Sequence, residues 1–134
     1  MSASDVLKFI KDKEAEFVDL RFTDPRGKLQ HLTMDSTVVD EDMLKDGVFF
    51  DGSSIAGWKA INESDMILKP DTSRFFLDPF TSHNTAVLFC DILDAVKKTP
   101  YERDPRGVAK KAEEYLKSSG VGDKAFFGPE PVFF

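Results

Sequence analysis

The sequence predicts an α+β domain in which a helix packs across a mixed β-sheet. Three observations support this fold class: an amphipathic N-terminal segment, an alternating strand pair joined by a tight turn, and a longer apolar run at residues 85–93. At 134 residues the chain has the length of one ordinary domain. Its 41% hydrophobic and 31% charged residues suit a globular rather than a disordered protein.

The N-terminal segment predicts a helix followed by a hairpin. Ser2 and Asp5 have the spacing of a capping box, which begins a helix that we expect to extend to about Lys13. Residues 17–23 alternate between apolar and polar side chains, as a half-buried strand does. Residues 29–34 return as the partner strand after a tight Asp-Pro-Arg-Gly turn.

The middle of the chain predicts a short helix and three strands. The helix covers residues 40–46 and is stopped by a glycine. Residues 66–68 and 74–77 are predicted as two short strands around a turn at Pro70-Asp71. The apolar run at 85–93 is the candidate central strand.

The polar segment 94–103 contains a proline and predicts a boundary between a domain at 1–103 and a second unit at 104–134. Asp104-Pro105 opens a helix, with Asp as N-cap and Pro at the first position. The side chains predicted to form its buried stripe are Val108, Ala112, Tyr115 and Leu116. Residues 125–127 are expected to begin a final strand. The predicted order is that of a ubiquitin-like (β-grasp) domain, in which a hairpin is followed by a helix and further strands. This is one of several α+β folds that the sequence allows.

Charge and cysteine content exclude some classes of function. A net charge of −6 disfavours nucleic-acid binding, because an acidic chain repels phosphate backbones. We expect no membrane partner, since no apolar stretch is long enough to cross a bilayer. The one cysteine, Cys90, lies in an apolar run and is expected to be a small core residue, which fits a reducing cytoplasm.

The most informative segment is 49–66, where an apolar run stops at Asp51 and a Gly/Ser-rich loop begins. Together with Glu63 and Asp65, Asp51 could attract a cation or accept a proton. Spacing alone leaves a structural alternative open, in which Asp51 forms an Asx turn and the other two acids cap a strand end. The loop lacks the Gly-x-x-x-x-Gly-Lys spacing of a Walker phosphate site.

A second acidic candidate is Glu130, held between two prolines. On a strand it would share a face with residue 132, and two acids there would suit two metal ions, but this chain has Val132. Read alone, Glu130 is a surface residue. The histidines, His31 and His83, are unpaired by any motif and are expected to be structural or exposed.

Several motifs in order resemble the N-terminal part of bacterial type I glutamine synthetase. They are Phe17–Asp24, Phe50–Ile55 with Trp58, Asn62–Met66, Arg103–Arg106 and Gly128–Pro131. The resemblance runs from about Ser2 to Phe134 without a large gap. It implies an enzyme that makes glutamine from glutamate, ammonia and ATP through a γ-glutamyl phosphate, with Mg²⁺ or Mn²⁺ as cofactor. It also implies a ring of subunits in which a β-grasp domain covers the catalytic domain of the neighbouring subunit.

The resemblance also implies roles for individual residues. Asp51 matches the aspartate that binds ammonium and helps deprotonate it. Ser53, Ser54 and Trp58 match the loop that enters the neighbour's site, and Asp65 matches an acid near the ammonium pocket. Glu130 matches a ligand of one divalent metal.

Two departures from the family pattern qualify this interpretation. Val132 stands where the family has a glutamate that binds the other metal, and valine cannot be a ligand. The remaining metal ligands, the nucleotide site and the glutamate-binding arginine of the family lie beyond Phe134. We therefore expect a fragment or truncated form that is inactive by itself.

Two other interpretations remain. The chain could be a non-catalytic interaction module that associates with a synthetase ring or with itself through the loop 49–66. It could also be a stand-alone Mg²⁺ enzyme that uses Asp51, Asp65 and Glu130.

Overall fold

The computed structural model describes residues 1–57 and 65–132. Within them, five strands form one mixed sheet in the order β2-β1-β5-β4-β3. Strands β1 and β5 are parallel, and the other neighbouring pairs are antiparallel. The elements in chain order are α1 (Ala3–Asp12), β1 (Phe17–Thr23), β2 (Leu29–Asp35), α2 (Glu41–Asp46), β3 (Val48–Asp51), β4 (Asp65–Leu77), β5 (Thr85–Asp94) and α3 (Pro105–Ser118).

One face of the sheet packs against α1 and α2 and forms the core. Val6 and Ile10 of α1 and Leu44 of α2 meet the inward side chains of the strands, among them Leu20 and Leu88. Each of these side chains is less than 9% exposed, and burial of that kind is the main stabilising term of a small domain. The predicted α+β fold with a helix across a mixed sheet is confirmed.

The N-terminal elements follow the local signals of the sequence. The capping box of α1 is present, with the side chain of Ser2 accepting from the backbone N–H of Asp5. The predicted hairpin forms over its full length, and Gly27 adopts a φ of 84° in its turn. The predicted helix at 40–46 is α2, with Asp40 as its N-cap and Gly47 at its end.

The predicted turn at Pro70-Asp71 is wrong. Residues 65–77 form the single strand β4, which pairs with β5 on both sides of an irregularity between Pro70 and Phe75. Proline cannot donate to a ladder, and the strand accommodates it by a shift of register rather than by a reversal of direction. The central position predicted for residues 85–93 is confirmed, because β5 lies between β1 and β4.

The predicted buried stripe of α3 is also wrong in this structure. The helix begins at Pro105 with Asp104 as N-cap, as predicted, but none of its residues is buried. Val108 is 55% exposed and Tyr115 is 74% exposed, Ala112 is exposed, and Leu116 is half-buried. An amphipathic pattern states which face prefers burial, but burial also requires a second surface to cover that face.

The strand predicted at residues 125–127 is absent. Residues 121–132 contain neither helix nor strand, and Phe126 and Phe127 are 92% and 89% exposed. A strand is stabilised by its hydrogen-bonded neighbour, and within the described residues none pairs with this segment. The division of the chain at residues 103 and 104 stays a prediction.

Candidate functional site

The acidic residues of the informative loop meet at the end of the β3–β4 pair. Asp51 is the last residue of β3 and Asp65 is the first residue of β4, and the two are direct antiparallel partners. Directly opposite partners have Cβ atoms about 4.5–5.5 Å apart. Both residues are exposed. Like charges at directly opposite positions repel each other, so this strand end concentrates negative charge.

Strand alternation directs Asp51 outward. Phe50, the residue before it, is partly buried against the core, and its ring centroid lies 5.4 Å from that of Phe22. Successive side chains of a strand point to opposite faces, so anchoring Phe50 inside places Asp51 on the other side. Gly47, with a φ of 87° that glycine adopts easily, ends α2 directly before β3.

The carboxylate of Asp51 is oriented by the turn that follows it. The backbone N–H and the hydroxyl of Ser53 both donate to its Oδ1, at 2.8 and 2.6 Å. The hydroxyl of Ser54 donates to the carbonyl oxygen of Asp51. Asp51 therefore forms the Asx turn that was one of the two alternatives left by the sequence. This turn coincides with a 3₁₀ turn at Gly52–Ser54. Orientation by the turn and pairing with Asp65 occur together, so the structural alternative does not exclude the functional one.

Arg103 contacts this loop and was given no role from the sequence. Its Nη1 donates to the carbonyl oxygen of Gly57 at 2.9 Å, across 46 positions of the chain. Its signals in the sequence were its place beside the Asp104-Pro105 helix start and its membership of the Arg103–Arg106 motif. Trp58 and Glu63, which were predicted to belong to the loop and its acidic cluster, lie outside the described residues.

The predicted metal ligand lies apart from regular structure. Glu130 is exposed in the segment 121–132, and Val132 is 69% exposed. The strand geometry that would align residues 130 and 132 is not formed. Across residues 1–57 and 65–132, no three acidic, histidine or cysteine side chains are placed to hold a metal ion. In the part of the chain that the structure describes, Asp51, Asp65 and Glu130 are therefore not brought together as one ligand set. The interpretation of a stand-alone Mg²⁺ enzyme stays a prediction.

A second polar cluster lies on the sheet face opposite α1 and α2. Asp19 is 4% exposed, and it accepts from His31 at 2.8 Å, from Thr33 at 2.7 Å and from Arg21 at 2.7 Å. Burial alone would raise the pKa of Asp19, but hydrogen bonds from Thr33, Arg21 and His31 outweigh it and lower the pKa. Arg21 also pairs with Asp78. Because these groups satisfy one another, we assign the cluster a structural role.

The two histidines contact acidic side chains, and the cysteine lies in the core. The imidazole of His31 contacts Asp19, and that of His83 lies 3.2 Å from Glu16; both side chains are more than half exposed. Cys90 is 1% exposed in the core, and burial raises the pKa of its thiol. The predictions of structural or exposed histidines and a core cysteine are confirmed.

The arrangement of a mixed five-stranded sheet covered by helices on one face is that of a β-grasp domain. The profile of the family described as "Glutamine synthetase, beta-Grasp domain" matches residues 14–95. The chain therefore belongs to the glutamine synthetase family and contains its β-grasp domain.

Two relatives that match almost the whole chain carry the same family name. Glutamine synthetase of Rhizobium meliloti is 65% identical over 99% of this chain, and that of Azorhizobium caulinodans is 59% identical over 99%. In both cases the chain spans 28% of the relative's length. The cryo-EM structure of Plasmodium falciparum glutamine synthetase superposes with a TM-score of 0.79 at 27% identity, covering 90% of this chain and 23% of that one.

Each helix that the structure describes is too short or too polar to cross a lipid bilayer.

Proposed function

We propose that this chain acts as the N-terminal part of a glutamine synthetase and supplies the ammonium-site carboxylate, Asp51, to the active site of a neighbouring subunit. The observation that carries the proposal is the exposed Asp51–Asp65 pair at the end of β3 and β4. Two carboxylates at one strand end create a negative potential that attracts a small cation such as ammonium. Family membership and the 65% identity to a relative of that name support the choice of reaction.

In the proposed reaction, ATP first phosphorylates the γ-carboxylate of glutamate. Ammonium then gives one proton to the carboxylate of Asp51, and the lone pair that this exposes attacks the acyl carbon of the phosphorylated glutamate. The carbon–oxygen bond to phosphate breaks, and phosphate leaves with that electron pair. The nitrogen then gives a second proton to the departing phosphate, which leaves the neutral amide of glutamine. The turn at Ser53 holds the carboxylate in one orientation, which lowers the cost of aligning the base with its proton.

The proposal includes the remaining features that the resemblance implies. Ser53, Ser54 and Trp58 form the inserted loop, and Asp65 adds negative charge. Glu130 supplies one oxygen ligand to Mg²⁺ or Mn²⁺ in the complete enzyme, where ATP is the co-substrate. The subunits form a ring, and a cytoplasmic location accords with the lone buried thiol of Cys90. The 134-residue chain alone is expected to make no glutamine, since it spans about 28% of its relatives.

Substitution of Asp51 in the complete synthetase subunit that contains this region tests the base. Asp51→Asn should lower the ammonium-dependent rate by about 10²-fold or more, the usual contribution of a positioned base. Asp12→Asn is the matched control, because it makes the same change at an exposed position at the end of α1 and should leave the rate unchanged. An Asp51→Asn enzyme with the full ammonium-dependent rate would refute the assignment.

Mixing two inactive variants tests whether Asp51 serves a neighbour. If the base and the metal ligand of one active site come from different subunits, rings assembled from Asp51→Asn and Glu130→Gln subunits contain some sites with both native residues. Activity should therefore reappear on co-assembly. If both residues serve their own subunit, every site in the mixed ring lacks one of them and no activity returns.

The exposed apolar side chains favour a second candidate, a non-catalytic interaction module. Phe126, Phe127, Tyr115 and Val108 are all more than half exposed, and a surface of this kind tends to bind another surface. Co-migration of the 134-residue chain with an intact synthetase on size exclusion, lost in Trp58→Ala, would support it. A monodisperse monomer that ignores the synthetase would refute it.

A further inference from the structure

The loop that follows Asp51 is tied to a distant part of the chain. The hydrogen bonds of Ser53, Ser54 and Ile55 all stay within the loop, so they fix its internal shape. The bond from Arg103 Nη1 to the carbonyl of Gly57 is different, because it connects the loop to the segment before α3. Gly57 lies six residues after Asp51 and has a φ of 89°.

The segment that carries Arg103 is itself fixed to the sheet. Its neighbour Asp104 is 1% exposed and accepts from the backbone N–H groups of Ile92 at 3.2 Å and of Arg106 at 3.1 Å. The N–H of Tyr101 donates to the carbonyl of Ile92 at 2.9 Å. Ile92 belongs to β5, which has a strand on each side. Arg103 therefore extends from an anchored point of the backbone.

An ion-pair cluster adds a second attachment of the same segment. The guanidinium of Arg106 contacts Asp91 of β5 at 2.8 Å and also contacts Asp71 of β4. Lys110, one turn further along α3, contacts the same Asp91. Residues 101–106 are thus held by main-chain hydrogen bonds, a buried carboxylate and ion pairs. Through its hydrogen bond to Gly57, Arg103 fixes the loop relative to this segment.

We propose that Arg103 is a positioning residue that sets where the loop 52–57, and with it the Asp51 carboxylate, lies relative to the sheet. This inference rests on the proposed function of Asp51. The loop keeps its local turn without Arg103, but its outer end loses a tie to β5. A base misplaced by about 1 Å can cost about 10²-fold in rate, so the tie has a catalytic consequence although Arg103 touches no substrate.

The side-chain chemistry makes arginine suited to this role. Its planar guanidinium presents several donors in a fixed fork, whereas the ammonium of lysine is a compact charge on a flexible stem. We therefore expect Arg103→Lys to impair ammonium use less than Arg103→Gln does, but not to match the native arginine. The matched control is Arg26→Gln, which makes the same change at an exposed position in the hairpin turn.

The test uses the complete synthetase subunit and two kinds of measurement. In Arg103→Gln, amide hydrogen exchange of residues 52–57 should accelerate while that of β5 stays unchanged. The kcat/KM for ammonium should fall about tenfold, less than the 10²-fold loss of rate that a fully misplaced base causes, and the KM values for glutamate and ATP should stay within about twofold. The Arg26→Gln subunit should match the native one in both measurements.

The outcomes separate this inference from the proposed function. Unchanged exchange of residues 52–57, or an equal rise in all three KM values, overturns the role of Arg103. If Asp51→Asn impairs ammonium use and Arg103→Gln does not, the positioning role alone is refuted. If Asp51→Asn leaves ammonium use intact, the proposed function fails, whereas faster exchange confined to the loop in Arg103→Gln still supports the tie.

Discussion

Two glycines with nearly the same φ lie in very different surroundings, and replacing each by alanine separates backbone strain from steric conflict. Gly47 has a φ of 87° and Gly27 a φ of 84°. A Cβ at Gly47 would lie 2.5 Å from the carbonyl oxygen of Leu68 and 2.5 Å from Cγ2 of Ile67. A Cβ at Gly27 would have no atom within 4 Å.

The magnitudes follow from these contacts. Gly47 has a ψ of −178°, a region that only glycine occupies readily, which costs another residue about 1–3 kcal/mol. The clash with the backbone of β4 adds about 1–3 kcal/mol, and the reduced freedom of the unfolded chain returns about 0.4–1 kcal/mol. Gly47→Ala should thus cost about 1–5.5 kcal/mol, and Gly27→Ala only about 0–1.5 kcal/mol because it carries the strain without the clash.

Urea unfolding of the 134-residue chain, followed by far-UV circular dichroism, measures both free energies of unfolding. With a slope of about 2 kcal/mol per molar urea, Gly47→Ala should lower the midpoint by roughly 0.5–3 M. Such a loss is a large share of the about 5–15 kcal/mol that stabilises an ordinary domain. Equal midpoints for the two variants would refute the reasoning, because they would show that the approach of Gly47 to β4 carries no energetic weight.

Two further predictions concern the ion pairs of the sheet. Arg106→Met should lower the free energy of unfolding by only about 1 kcal/mol, since the contacts with Asp71 and Asp91 are partly exposed. This loss should shrink at high salt, which screens the ion pairs. Thermal unfolding at low and high salt measures the loss, and a salt-independent loss would contradict the prediction. The pKa of Asp19 is lowered by folding, so the stability it provides is present above the ordinary carboxyl pKa and is lost as the pH falls through the folded value. Asp19→Asn should therefore flatten the acid limb of the stability–pH curve, and an unchanged limb in that variant would show the expectation to be wrong.

Local signals in the sequence predicted the elements that local physics controls. The capping box of Ser2 and Asp5, the turn at Gly27 and the end of α2 at Gly47 are each set by residues a few positions apart. The alternation of residues 17–23 predicted both the strand and its inward face. The long apolar run at 85–93 predicted the central strand, because a strand with neighbours on both sides has little contact with water.

The errors occurred where the outcome depends on a partner. Residues 66–77 hold both a proline and turn-forming polar residues, and only pairing with β5 keeps them in one strand. The stripe of α3 and the segment 125–127 have apolar side chains that prefer burial, but within the described residues no surface buries them fully. Local preference cannot supply the opposing surface.

In the candidate site, too, the local features could be predicted from the sequence and the contacts between distant segments could not. The sequence singled out Asp51 and Asp65, and the Asx turn at Ser53 was a foreseeable local choice. That the two carboxylates are direct partners follows from the register of β3 and β4, and the contact of Arg103 with Gly57 follows from the path of the chain after β5.

By itself, the sequence determined the helices, the hairpin, the apolar centre of the sheet and the residues with candidate chemistry, because each depends on neighbours along the chain. The tertiary structure alone decided which carboxylates face each other, which basic side chain reaches the loop, and which apolar faces stay open to solvent. These depend on groups far apart in the chain, whose approach is set by strand register and by the closing of one core rather than by any local pattern.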